Sequence, residues 1–241
     1  MQCIVYRLGL IKYEEALQLQ KDFLAQKLSG KTPDILLLLE HPPTITIGKS
    51  GKLENVLVSS AYLAQEGISL FFTERGGDVT YHGPGQLVAY PIIDLSRRGK
   101  DIRRYISELE EVIIRTLKDF SLEAYRIKDY PGVWVKGEQI AAIGLKVSRW
   151  ISTHGFALNV DPELRNFSLI RPCGLPDVKV TSLSRALSQK VSVQEIEEKL
   201  MAHFSEVFQI PLKLASEIEG LGAMAQCRMQ IEKCKIALCQ I

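Results

Sequence analysis

Residues 75–86 read RGGDVTYHGPGQ. Four glycines and a proline in twelve positions exclude a helix and make a poor strand, since glycine is costly to order and proline removes a backbone donor. Apolar runs bracket the stretch at 68–72 and 87–95. Gly76, Gly77, Gly83 and Gly85 let the backbone take positive φ and approach a ligand closely. The bare amides of such a loop donate to a carbonyl or an oxyanion, and Arg75 and His82 are placed to orient or polarise a bound group. The plainer reading is a long turn between two strands, with Tyr81 packed and His82 bonded to backbone; on pattern alone both stay open. The glycines do not follow the GxxxxGK[ST] order of a phosphate loop, so nucleotide binding is not indicated.

Outward from this loop the chain is mixed. A strand is expected in CIVYRLG, a helix over 13–28 carrying Leu17, Leu24 and Leu28, then strands in DILLLLEH and TITIG separated by His41-Pro42-Pro43, where no ladder can continue. QLVAYPIIDL reads as a strand with its proline at a bend or edge. Asp101 caps a helix whose apolar face carries Ile102, Tyr105, Ile106, Leu109, Val112, Ile113 and Leu117. GVWVKG, QIAAIGLKV and STHGFALNV read as three strands. A last helix starts at Ser192, with Glu195 completing a possible capping box, and stops near Pro211. Strands outnumber helices without alternating regularly with them. The expectation is α+β, with mixed, mostly antiparallel sheets and helices packed on one side.

The 241 residues suit one large domain or two small ones, and 46% hydrophobic against 24% charged is ordinary for a chain that buries a core. A net charge of +2 gives no reason to expect nucleic acid or a membrane surface as partner. No apolar run approaches a membrane span, and MQCIVYRLGL lacks a signal-peptide pattern. Five cysteines, none in a CxxC pair, argue against a disulfide framework or a metal site and fit a reducing cytoplasm. The organisation expected is a catalytic domain over 1–215 and a helical packing tail over 216–241.

One cysteine stands out. Cys173 sits in LIRPCGLPD, a Pro- and Gly-rich loop, where a thiol is accessible; structural cysteines more often lie inside apolar elements. A reactive thiol needs a cation nearby, and Lys136, Lys146, Arg149 and His154 are the upstream candidates.

RGGDVTYHGPGQLVAYPIIDL, AAIGLKVSRWISTHGFALNV and RPCG, in that order, together with EHPPTITIG, resemble the lipoyl(octanoyl) transferases of the biotin/lipoate protein ligase fold family, over roughly residues 4–210. The resemblance implies an acyltransferase needing no cofactor. It takes octanoyl from octanoyl-acyl carrier protein as a cysteine thioester. It passes the group to a lysine of lipoyl domains, in the E2 subunits of 2-oxoacid dehydrogenases and the glycine cleavage H protein. It makes Cys173 the nucleophile. It maps the acyl pocket onto Arg75, Gly76, Gly77, Asp78, Val79, Thr80, Tyr81 and His82, onto Ala142, Ile143 and Gly144, and onto Gly155, Phe156 and Ala157. The chain departs from the family at Gln139, where the family carries the lysine that lowers the cysteine's pKa. Lys146, seven positions on, is the expected replacement and Lys136 the rival; the plainest alternative is that neither serves and Lys146 is a surface lysine. Positions seven apart face opposite sides of an unbroken strand, so a bulge is needed, and Gly144 is its expected place. Two alternatives remain: an amidotransferase moving octanoyl or lipoyl between lipoyl domains, and a non-catalytic acyl-binding protein. An ATP-dependent ligase would leave the loop cysteine without a role.

Overall fold

A computed structural model describes residues 2–172 and 178–217. Cys173 and nearly all of the tail (218–241) lie outside the described residues. Eleven strands form two sheets. The large one has the order β11-β1-β2-β6-β10-β9-β8-β7, where β1 is Cys3–Leu10, β2 Asp34–Glu40, β6 Gln86–Ile92, β7 Ala124–Ile127, β8 Tyr130–Val135, β9 Glu138–Ser148, β10 Ile151–Asn159 and β11 Leu212–Leu214. The small one has the order β4-β3-β5, with β3 Thr44–Ile47, β4 Ser69–Phe72 and β5 Val79–His82. Among the described strands, only β1–β11, β1–β2 and β3–β4 pair in parallel. The α+β expectation therefore stands, with one correction: the helices cover both faces of the large sheet.

The reason is the sheet's composition. Central strand β2 is DILLLLE, and its leucines are fully buried on both sides. Leu36 and Leu38 join a core with Leu109, Val112 and Ile113 of α3 (Ile102–Lys118) and Ile196, Leu200 and Phe204 of α5 (Val193–Phe208). Leu37 and Leu39 join a second core with Ala16, Leu19 and Phe23 of α1 (Tyr13–Leu28); α2 (Ser60–Gln65) and α4 (Leu183–Leu187) are short. A run buried on both faces cannot follow period 2, so it requires a cover on each side.

Helix ends follow the sequence. The Asp101 side chain accepts from Arg104 N at 3.0 Å, and Ser192 Oγ accepts from Glu195 N at 3.2 Å. His41-Pro42-Pro43 carries the chain from the large sheet to the small one. Two expectations are corrected. Residues 79–82, read as loop, form β5, because Val-Thr-Tyr suits a pleated surface and the glycines lie outside it. Pro91 lies in a central strand, paired to Leu36, and the β6–β10 ladder stops at Ala89–Phe156, before its missing N–H is needed.

At that stop the two backbones come close. A Cβ on Gly155 would lie 2.0 Å from Ala89 O and 2.7 Å from Pro91 Cδ. Gly155→Ala is therefore expected to destabilise the fold by about 1–3 kcal/mol, the usual range for overpacking. The urea midpoint measures this; an unchanged midpoint contradicts the close approach.

Candidate active site

A cavity of about 620 Å³ opens where β5, β9, β10 and the 75–78 loop meet. The loop is built by Arg75, which is buried. Its Nε donates to Thr46 Oγ1 at 3.1 Å, its Nη2 to Thr46 O at 2.7 Å and Asp78 O at 2.8 Å, and its Nη1 to Gly76 O at 3.0 Å. Asp78 accepts from Asn55 Nδ2 at 2.6 Å and Lys52 N at 3.2 Å, tying down the chain after β3. The β8–β9 ladder ends at Gly132–Ala142, which leaves the far half of β9 as a free edge. Gly76 docks there, donating its amide to Leu145 O at 2.7 Å. The loop thus roofs β9, and a Cβ on Gly144 would meet Gly76 O at 3.0 Å and Arg75 Cδ at 3.1 Å.

Of the pocket residues expected from sequence, Arg75, Gly76, Gly77, Asp78, Val79, Thr80, His82, Ala142, Ile143, Gly144, Gly155, Phe156 and Ala157 line this cavity. Tyr81 does not. It points the other way from Thr80 and His82, packs edge-on against Phe167 and accepts from Asn166 Nδ2 at 2.8 Å. Arg75 also organises the loop backbone, and the Gly76 amide, which the sequence suggested as a free donor, is committed to Leu145.

The bulge exists, in a different place. Val133 faces Ala141 and Trp134 faces Gln139, so Ile140 is the extra residue. The β9–β10 register runs without a break past Gly144. Ile140 and Ala141 both enter the core under α3 and α5, whereas Gln139 and Ala142 line the cavity. Gln139 and Lys146 therefore share a face, but about 20 Å apart along the strand at ~3.3 Å per residue. Lys146 is ion-paired to Glu74, and that bond holds the Glu74 carboxyl below its ordinary range. Lys136 sits in the β8–β9 turn, at φ +50°. Gln139 is pinned to the stretch that resumes after Cys173: its N donates to Lys179 O at 2.8 Å, and its O accepts from Thr181 N at 2.9 Å. Val178 lines the same cavity.

Sequence reasoning missed the aromatic floor. Tyr13 and Tyr90 line the cavity beside His82 and His154. Tyr13 stacks on Phe71 and meets His41 edge-on, a clustering that no local pattern signals. His41 Nδ1 donates to Ile11 O at 2.8 Å, which leaves Nε2 to accept from Tyr90 Oη at 2.8 Å. His82 Nδ1 donates to Gln86 Oε1 at 2.7 Å, since Gln86 Nε2 is already donating to Tyr81 O and Asn159 Oδ1. The lone pair of His82 is therefore on Nε2. Burial pushes His41 down to about 4; burial, then the neighbouring His41, pushes His82 down to about 3. Burial, then Arg75 and Lys146, pushes His154 down to about 4. All three rings are neutral at pH 7. The floor is a buried, neutral aromatic surface suited to an apolar chain.

The description "Lipoyl protein ligase A/B catalytic domain" matches residues 12–205. The chain belongs to that family. An octanoyltransferase of Caldicellulosiruptor saccharolyticus is 49% identical over 219 residues, covering 90% of this chain and 93% of that one. One of Desulforamulus reducens is 45% identical, covering 86% and 92%. Among solved structures, a lipoate-protein ligase A bound with ATP superposes with a TM-score of 0.72 at 20% identity, covering 89% of this chain and 88% of that one. A bipartite lipoate protein ligase from Thermoplasma acidophilum gives 0.67 at 18% identity, covering 88% and 85%. The structural likenesses establish the fold of the family and nothing finer. Among the described residues, no helix is long and apolar enough to cross a membrane.

The histidines set a pH dependence. Unfolding frees each ring to titrate near pH 6.5, so between about pH 6.5 and 4 the unfolded chain binds more protons than the folded one. Stability must fall as pH drops through that window, by about 2 kcal/mol per ring between pH 6.5 and 5. Urea unfolding at pH 7 and pH 5 tests this. His41→Gln should narrow the gap between the two midpoints; an equal gap in the variant contradicts neutral burial of that ring.

Proposed function

We propose that this protein is an octanoyltransferase: it moves octanoyl from octanoyl-acyl carrier protein to a lysine of lipoyl domains, through a thioester on Cys173. The observation that carries this reading is the 45–49% identity to octanoyltransferases over nearly their whole length. The cavity supports it. Ala142, Gly144 and Ala157 leave room beside the chain, and each methylene removed from water adds about 0.8 kcal/mol. Thioester exchange is nearly balanced in free energy, and forming an amide from a thioester is downhill, so no ATP is required. The catalytic domain spans 1–215 in this reading.

In the first step the Cys173 thiolate attacks the donor thioester carbonyl; the carbon–sulfur bond to the carrier breaks, and the carrier leaves as a thiolate that takes up a proton. In the second the acceptor amine attacks the acyl-enzyme carbonyl, loses a proton and releases Cys173. Intact mass after mixing with octanoyl-acyl carrier protein is expected to rise by one octanoyl group. Cys173→Ala should abolish both the adduct and transfer, with the other cysteines dispensable. Near-wild-type transfer by Cys173→Ala would sink the mechanism. Acceptance of octanoyl-acyl carrier protein also separates this reading from transfer between lipoyl domains.

Ala142→Leu should reject octanoyl before butanoyl, since overfilling a packed site typically costs about 1–3 kcal/mol. An unchanged preference between the two donors would mean that the acyl chain lies elsewhere.

The charge that favours the Cys173 thiolate is a separate matter. Lys146 was the expected source. Its Glu74 partner and its separation from Gln139 along β9 weigh against it, because exposed charges beyond about 10 Å are largely screened. Lys146→Met is therefore expected to move the pH profile of Cys173 alkylation by less than about half a unit. Gln139→Lys should lower it by about one to three units, the usual effect of a cation within 4–6 Å. A shift of a unit or more in Lys146→Met would restore that lysine as the activating charge.

A further inference from the structure

A second cavity, also about 620 Å³, lies behind the first. The wall between them is the pairing of Gln139 with Val180, an isolated parallel bridge. Neighbouring residues in a strand point to opposite sides. Gln139 accordingly lines the first cavity and Glu138 the second, while Val178 borders both. The residues lining the second cavity include Pro172, the last described residue before Cys173.

This second cleft is basic. Among the described residues, Arg165, Arg171, Lys179 and Arg185 line it, against one carboxylate, Glu138. Arg185 Nη2 lies 3.6 Å from Glu138 Oε1, and Arg165 Nε 3.5 Å from Glu163 Oε2. Arg171 and Lys179 have no ion pair among the described residues. They sit in the chain on either side of Cys173, one two residues before it and the other six after. Two cations with no ion pair among the described residues, and two more lining the same cleft, attract a multiply charged anion and hold it by charge-assisted hydrogen bonds.

We infer that this cleft binds the phosphate of the acyl donor's phosphopantetheine arm. The inference rests on the proposed transfer from a carrier-bound thioester. Arg171 and Lys179 take the phosphate. The flexible arm then crosses the wall beside Val178 and delivers its thioester to the first cavity, where Gln139 and the small residues of β9 wait. No bond is made or broken in the cleft, so these side chains position the donor and are not catalytic residues. The arrangement gives one face to the acyl chain and another to the charged end of the same substrate, which separates recognition of the donor from recognition of its cargo.

Calorimetric titration with phosphopantetheine and with pantetheine, neither acylated, tests this without requiring octanoyl transfer. The wild-type protein is expected to bind phosphopantetheine at least about tenfold more tightly than pantetheine at low salt, a difference of about 1.4 kcal/mol. The preference should shrink as salt rises and disappear in the double variant Arg171→Gln, Lys179→Gln. Inorganic phosphate should compete with phosphopantetheine in the wild type. Equal affinity for the two compounds, absence of phosphopantetheine binding, or a preference that survives in the double variant overturns the inference. A wild-type protein that prefers phosphopantetheine yet transfers no octanoyl would refute the proposed function and leave the phosphate site standing.

Discussion

The bond from the Gly76 amide to the Leu145 carbonyl holds the site together. A free strand edge is a row of unpaired donors and acceptors, and it must be satisfied by something. Here β8 stops at Gly132, opposite Ala142, and the open edge of β9 beyond it is met by the glycine-rich loop. The loop can meet it because Arg75 gathers Thr46, Gly76 and Asp78 around one buried guanidinium. A Cβ on Gly144 would press on the loop backbone at 3.0 Å and on the Arg75 stem at 3.1 Å, so glycine there lets the loop sit close. The two glycine-bearing stretches of the sequence are two halves of one contact, and the cavity is what that contact encloses.

The Ile140 bulge does a second job. It sends two consecutive residues into the core and thereby returns Gln139, Ala142, Gly144 and Lys146 to one face. Gln139 also exchanges backbone hydrogen bonds with residues 179 and 181, which fixes the chain just after Cys173 against the start of β9. That wall separates a cavity with a neutral aromatic floor from a basic cleft. An acyl chain and a phosphate have opposite requirements of their surroundings, low dielectric for one and uncompensated cations for the other, and a single strand pair keeps the two apart.

Much of this was legible in the sequence. The helix at 13–28 announced itself by periodicity, the one from Asp101 by cap and periodicity, and the strands around Gly144 and Gly155 by their apolar runs. DILLLLE was legible as a strand but not its two-sided burial; continuous leucine carries no period, so it does not say how many covers it has, and helices on one side were expected where both faces are covered. The loop 75–78 and its partners were recognised as belonging together, but not how. Arg75 looks like a ligand-binding arginine in the sequence; in space it lines the cavity and also binds Thr46, Gly76 and Asp78, partners that no local pattern announces. Tyr81 looked like part of the site and is turned away by simple strand alternation. Tyr13, Tyr90 and the depressed histidines are long-range neighbours with no local signature. The bulge at Ile140 was inferred from a need, not from a signal, and its position could only come from the register with β8.

The most direct measurement is a crystal structure of the protein carrying a covalently attached octanoyl group. The enclosure formed by Gly76 and Leu145 predicts the chain's methylenes within about 4 Å of Ala142, Gly144 and Ala157, beneath the 76–80 backbone. The Gly76–Leu145 bond should remain intact. An octanoyl chain lying outside that enclosure, or a loop lifted off β9 to admit it, would contradict the account.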